Sequence, residues 1–139
     1  MDEQMHQSDH PQSKPRPDAD ILADVEQALS KVDVLRLSLP MMQVTVHEGV
    51  VTLAGYIVNR IHVSLARDAV RRVRGVRAVE DALAVDDELT IDVAQALARD
   101  ERTRPCQVFV DVRFGVARLS GEVPSHGVRA AAEAIARAV

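Results

Sequence analysis

The apolar positions of this chain recur first at helical and then at strand spacing, and the cycle runs twice. Ile21, Leu22, Val25, Ala28 and Leu29 lie at three- and four-residue intervals behind Asp18 and Asp20, either of which can cap a helix. After a connector ending near Pro40, Gln43-Val44-Thr45-Val46-His47 alternates as a strand. Glu48-Gly49 makes a tight turn, and Val50 to Ile57 returns as a second strand. A second helix is predicted from Asn59, a good cap, to Arg74. Gly75 stops it, and Val76 to Val85 alternates again as a third strand. The order is αββαβ.

The pattern then restarts. Ile91-Asp92-Val93-Ala94-Gln95-Ala96-Leu97 repeats Ala23-Asp24-Val25-Glu26-Gln27-Ala28-Leu29 at an offset of 68 residues. Gly115-Val116-Ala117-Arg118-Leu119-Ser120-Gly121 repeats Gly49-Val50-Val51-Thr52-Leu53-Ala54-Gly55 at an offset of 66. The change falls in the connector before the hairpin, where loops tolerate length differences. Two matches separated by one loop deletion mark an internal duplication. The expected organisation is a tail over residues 1–17, one complete unit over 18–86, and an αββα second unit over 87–139. The second unit stops at Val139, before the third strand of the repeat. A fragment and a natural truncation fit that ending equally.

The glycines have positional reasons. Gly49 and Gly115 sit where a turn needs positive φ, and Gly75 ends a helix. Gly55 and Gly121 lie inside the second strand of each unit, where glycine marks a bulge or a close backbone approach. The second helix of each unit is the expected neighbour there.

Composition narrows the function. Apolar residues make up 47% of the chain, enough for a core, but aromatics only 2%: Tyr56, Phe109 and Phe114. That argues against base-stacking platforms, and no nucleic-acid partner is expected. The formal charge of −4 supplies no global attraction for phosphates, so any basic site must be local. Cys106, the single cysteine, cannot form an intramolecular disulfide or a thiolate metal cage. His6 and His10 stand among prolines, where a helical ligand pair is disfavoured. No segment reads as a membrane span or a secretory signal, so a cytoplasmic location is expected, with peripheral membrane attachment compatible.

The helix, the alternating strand, Gly-Val-Val-Thr-Leu-Ala-Gly, the helix ending Val73-Arg74-Gly75-Val76 and the valine-rich strand to Val85 together resemble the BON domain. The resemblance covers residues 18–139. It implies an α+β fold of two αββαβ units, helices on one face of a small mixed sheet, with the second unit cut before its third strand. It also implies a non-catalytic role in bacterial osmotically induced or transport-associated proteins, attaching to phospholipid or to envelope assemblies.

Between Arg60 and Arg77 stand six arginines against one acid, Asp68. At about 100° per residue, Arg60, Arg67, Arg71 and Arg74 share a stripe about 60° wide. Ile61, Leu65, Ala66, Ala69, Val70 and Val73 are expected on the opposite, buried side. The stripe suits anionic head groups; a solvated helix face is the bland alternative. The aligned stripe of unit two holds His126, Glu133 and Arg137. The acids Glu80, Asp81, Asp86, Asp87, Glu88 and Asp92 match no calcium-loop spacing and read as a linker and helix start. No metal and no cofactor are expected. Ser38, Ser64, Ser120 and Ser125 lack a nucleophile setting, and Ser120 aligns with Ala54. Three readings stand: a peripheral module on anionic phospholipid, a protein–protein or self-assembly adaptor using the sheet edge of unit two, and a cation-sensing module.

Overall fold

In the computed structural model, residues 15–139 are described. Close contacts divide the described residues into two compact units, 15–55 with 61–83, and 56–60 with 84–139. The first contains helix α1 (Asp18–Ser30), two single-turn helices at Asp33–Leu35 and Leu39–Met41, and strand β1 (Met42–His47). It also holds most of β2 (Val50–Ile57), α2 (Arg60–Arg71) and β3 (Ala78–Val85). The second is built on α3 (Asp86–Arg99), β4 (Val108–Arg113), β5 (Val116–Gly121) and α4 (His126–Arg137). The fold is α+β, with a three-stranded sheet ordered β1-β2-β3 and a two-stranded sheet β4-β5.

Each hairpin closes through two residues, so its register is fixed from the turn outward. His47 faces Val50 and Arg113 faces Val116. Both turn residues take positive φ: Glu48 at 49° and Gly49 at 81°, Phe114 at 50° and Gly115 at 77°. This is the turn whose twist matches that of the flanking strands. β3 joins the other side of β2 in parallel. The Arg77 N–H bonds the Gly49 carbonyl at 2.8 Å where both strands begin, and Thr52 Oγ1 donates to Glu80 two to three residues further on.

A carboxylate holds each turn. Asp18 opens α1, but the cap position belongs to Pro17 and no side chain caps the helix there. The Asp18 carboxylate instead accepts the N–H groups of Glu48 and Gly49 at 2.8 and 3.1 Å. Asp86, opening α3, accepts those of Phe114 and Gly115 at 2.7 and 3.0 Å. The same clasp thus appears twice, linking a helix start to a hairpin turn. Glu48 takes its positive φ without glycine's freedom, and asparagine enters that region at lower cost. Glu48→Asn should therefore raise stability by about 0.5–1 kcal/mol in urea unfolding.

In the first unit, Ile21, Val25 and Leu29 of α1, with Leu35, Val51, Leu53, Val63, Ala66 and Val70, are buried. The second has a smaller core of Val93, Leu97 and Ala132, flanked by half-buried Val108, Val110, Leu119, Ile135 and Ala136. α3 ends where Thr103 Oγ1 donates to the Leu97 carbonyl at 2.6 Å. Beside it, Arg102 bonds Asp100 through its side chain and its backbone N–H, holding the Asp100 carboxyl at about 2.

Three expectations need correction. α2 stops at Arg71 rather than Arg74, and β3 starts at Ala78. The close approach at Gly55 and Gly121 is real, but its neighbour is not the second helix. A Cβ on Gly55 would overlap the Met41 carbonyl, and one on Gly121 the Gln107 carbonyl. The crowding is the chain's own entry into the first strand of each hairpin. His6 and His10, and most of the expected tail, lie outside the described residues. Arg16, at the end of that stretch, bonds Asp24 and the Arg74 carbonyl.

Candidate functional site

α2 turns its Val63, Ala66 and Val70 face inward. That face lies about 80° from the arginine stripe instead of opposite it, by the rotation per residue of a helix. Ile61 is 71% exposed and Leu65 is exposed too, although both were expected inside. The four arginines consequently meet different surroundings. Arg60, grouped with the second unit, makes a two-pronged pair with Glu88 at 2.8 and 2.7 Å. Hydrogen bonding to that guanidinium pulls the Glu88 carboxyl below its usual range. Arg67 is half-buried, its Nε shielded from solvent without a hydrogen-bond partner. Arg71 is exposed on the last turn of α2, and exposed Arg74 lies beyond the helix.

The acidic residues are engaged as well. Asp86 clasps its turn, Glu88 holds Arg60, Glu80 accepts from Thr52, and Asp81 accepts the Leu83 N–H. Among the described residues, no group of three or more His, Cys, Asp or Glu is placed to hold a metal ion. No helix among them is long and apolar enough to cross a membrane.

The structure draws attention instead to β5. In a two-residue hairpin the closing pair exchanges hydrogen bonds and the following residues alternate. Val116, Arg118 and Ser120 therefore bond toward β4, while Ala117, Leu119 and Gly121 aim their N–H and C=O groups the other way. In unit one the aligned Val51, Leu53 and Gly55 aim theirs at β3. The Arg77 bond to Gly49 confirms this parity. Among the described residues β5 pairs only with β4, and the Tyr56 ring lies against Gly115 at its start.

Burial reports the difference directly. Val51 and Leu53 are each 0% exposed, whereas Ala117 is exposed and Leu119 half-buried. Two clefts of about 520 and 390 Å³ run between β5 and α4. The larger is lined by Val108, Leu119, Val123 and Ala132, with Arg129 and Glu133 at its rim. The smaller lies among Gly115, Ala117, Leu119, Ala136 and Arg137. Sequence reading named the edge but missed the clefts. Their signal was present in the repeat alignment, where Val51 and Val70 become Ala117 and Ala136.

Comparison with known proteins agrees with this architecture. No curated protein sequence matches the chain. Two solved structures of CdsD, a structural protein of the type III secretion system of Chlamydia trachomatis, are similar in fold. One superposes with a TM-score of 0.68 at 17% identity, covering 86% of this chain and 54% of that one. The other, its C-terminal domain, has the same score and identity and covers 88% and 59%. This chain thus spans little more than half the length of either. The BON domain family matches residues 17–87 and again 85–139. With the family matched twice and the αββαβ order seen complete in one copy, the chain belongs to the BON domain family as a tandem-domain protein.

Proposed function

We propose that this chain is a non-catalytic protein-assembly module, in which the first unit is a closed scaffold and the second joins other proteins through the β5 edge. The observation that carries this reading is the difference between the aligned edges. Among the described residues β2 has a strand seated on it and buried side chains beneath, while β5 pairs with β4 alone and its side chains are exposed or half-buried. A row of unpaired N–H and C=O groups is a template for strand addition. The fold shared with CdsD, a structural component of a secretion apparatus, supports an assembly role. A photo-crosslinking residue at exposed Val116 should give discrete protein adducts in the native host, and Ala117→Pro should abolish them by removing an edge donor. Absence of adducts, or adducts indifferent to the proline, overturns the reading.

A second reading keeps the arginines. Exposed Arg71, Arg72 and Arg74 at the end of α2 favour peripheral docking on anionic lipid, each cation contributing about 1 kcal/mol near a charged surface. Vesicles rich in phosphatidylserine should co-sediment the chain, and exchanging Arg60, Arg67, Arg71 and Arg74 together for Gln should release it. On this geometry Arg71 and Arg74 supply most of the loss. Binding that ignores lipid charge, or survives the exchange, removes this reading.

A further inference from the structure

Each hairpin turn carries a second side chain besides its aspartate clasp. At the first turn the Arg77 side chain lies against Gly49, where an added Cβ would meet its Cγ and Cδ at 2.9 Å. At the second the Tyr56 ring lies against Gly115, and a Cβ there would run into its Cδ1, Cε1 and Cζ. The two covers differ in origin. Arg77 leads into β3 within the first unit, whereas Tyr56 stands near the end of β2, beyond the last residue of that strand counted with the first unit.

Tyr56 begins a short segment. Residues 56–60 group by close contact with 84–139, while the chain on either side, up to Gly55 and from Ile61 onward, belongs to the first unit. Two further contacts hold the segment. The Val58 carbonyl accepts the Asp87 N–H at 3.0 Å, a donor in the first turn of α3 that has no partner within the helix. No side chain caps α3, so this carbonyl does part of that work. Arg60 pairs with Glu88 in the same turn at 2.8 and 2.7 Å. The aligned residues of the second repeat, Glu122-Val123-Pro124-Ser125-His126, have neither the ring nor the guanidinium. The segment is therefore a specialisation of the first copy.

The second unit has little else to spare. Its buried cluster is Val93, Leu97 and Ala132, and a small core leaves few contacts to lose. A free peptide of five residues would have to be ordered before it could make these contacts, at an entropic cost. Here β2 and α2 fix the segment at both ends, so it arrives already ordered.

We infer that residues 56–60 form a strap, presented by the folded first unit, on which the fold of the second unit depends. The second unit stands while β2 and α2 hold the strap, and loosens when they unfold. This dependence holds whatever the second unit binds, so it goes beyond the assembly reading and does not rest on it.

Native-state amide exchange on the full chain tests the strap, with Val93 and Leu97 reporting on the second unit and Val51 and Leu53 on the first. Tyr56→Ala should speed exchange at Val93 and Leu97 at least about tenfold, while Tyr56→Phe, which keeps the ring, should stay within about twofold of the parent. Gly115→Ala should be more damaging with Tyr56 present than in the Tyr56→Ala chain. The backbone strain at Gly115 is common to both and cancels, leaving the overlap of methyl and ring. Val25→Asp combined with Leu29→Asp puts two carboxylates at sites 0% and 1% exposed in α1, which should unfold the first unit and leave the strap's own residues unchanged. Exchange at Val93 and Leu97 should then rise at least about tenfold together with the loss of protection at Val51 and Leu53. Val93 and Leu97 keeping their parent protection in that chain overturns the inference. So does equal exchange in the Tyr56→Ala and Tyr56→Phe chains, or additive losses from Tyr56→Ala and Gly115→Ala.

Discussion

Gly55→Ala should lower the stability of the first unit by about 3–5 kcal/mol, the largest effect expected from any single methyl group in this protein. Two costs combine. The backbone at Gly55 has φ of 104°, a conformation that L side chains rarely adopt. The added Cβ would also meet the Met41 carbonyl, and that neighbour is backbone, with no rotamer to swing aside. β1 begins at the next residue, so relief would require shifting the start of a strand already paired with β2. Met42 faces Gly55 across the hairpin, which makes any shift a loss of register at its open end. Urea unfolding followed by amide signals of Val51 and Leu53 would measure the effect. A loss below about 1 kcal/mol would mean that the carbonyl moves freely.

Asp86→Ala should destabilise the second unit by about 2–4 kcal/mol, with Asp86→Asn retaining part of the difference. Asp86 is 2% exposed and its carboxylate accepts two turn N–H groups, one of them from Phe114 at positive φ. Alanine would leave both donors without their partner and remove a side chain that ties α3 to that turn. Asparagine presents a single acceptor oxygen and an amide that cannot receive the second bond. Asp18→Ala should cost less, because Asp18 is only half-buried and water can replace it at exposed Glu48. Urea unfolding read at Val93 and Leu97 for one unit and at Val51 for the other would separate the two. Equal losses would show that burial of the carboxylate does not set the strength of the clasp.

The elements were legible because each had a local cause. Alternation in Gln43–His47 and Val50–Ile57, with Glu48-Gly49 between them, leaves one economical reading, and the repeat confirmed it on independent residues. What failed was the rotation of α2. Ile61 and Leu65 look as apolar as Val63 and Val70, and composition cannot say which of two overlapping apolar stripes meets the core. Tertiary packing decides that: Val63, Ala66 and Val70 are buried, while Ile61 and Leu65 stay exposed. The arginine stripe inherited the error: its spacing is real, but its neighbours are set by tertiary contacts that bring Glu88 to Arg60. The clasps were hidden differently. Asp18 and Asp86 stand at the same offset of 68 residues as their helices, yet the aspartate–turn contact spans about thirty residues of sequence.

The clasps also bear on how such a domain can be altered. Asp18 and Glu48 are 30 residues apart, Asp86 and Phe114 only 28, yet both pairs close on the same geometry. The chain between helix and hairpin therefore differs in length by two residues between the units without disturbing either end. The part able to vary is narrow: Leu35 and Thr103 are buried anchors, while Leu37 in one connector and Arg104 and Pro105 in the other face solvent. Those exposed positions are the natural grafting points for a tag or a recognition loop, held at each end by an aspartate that already tolerates connectors of two lengths.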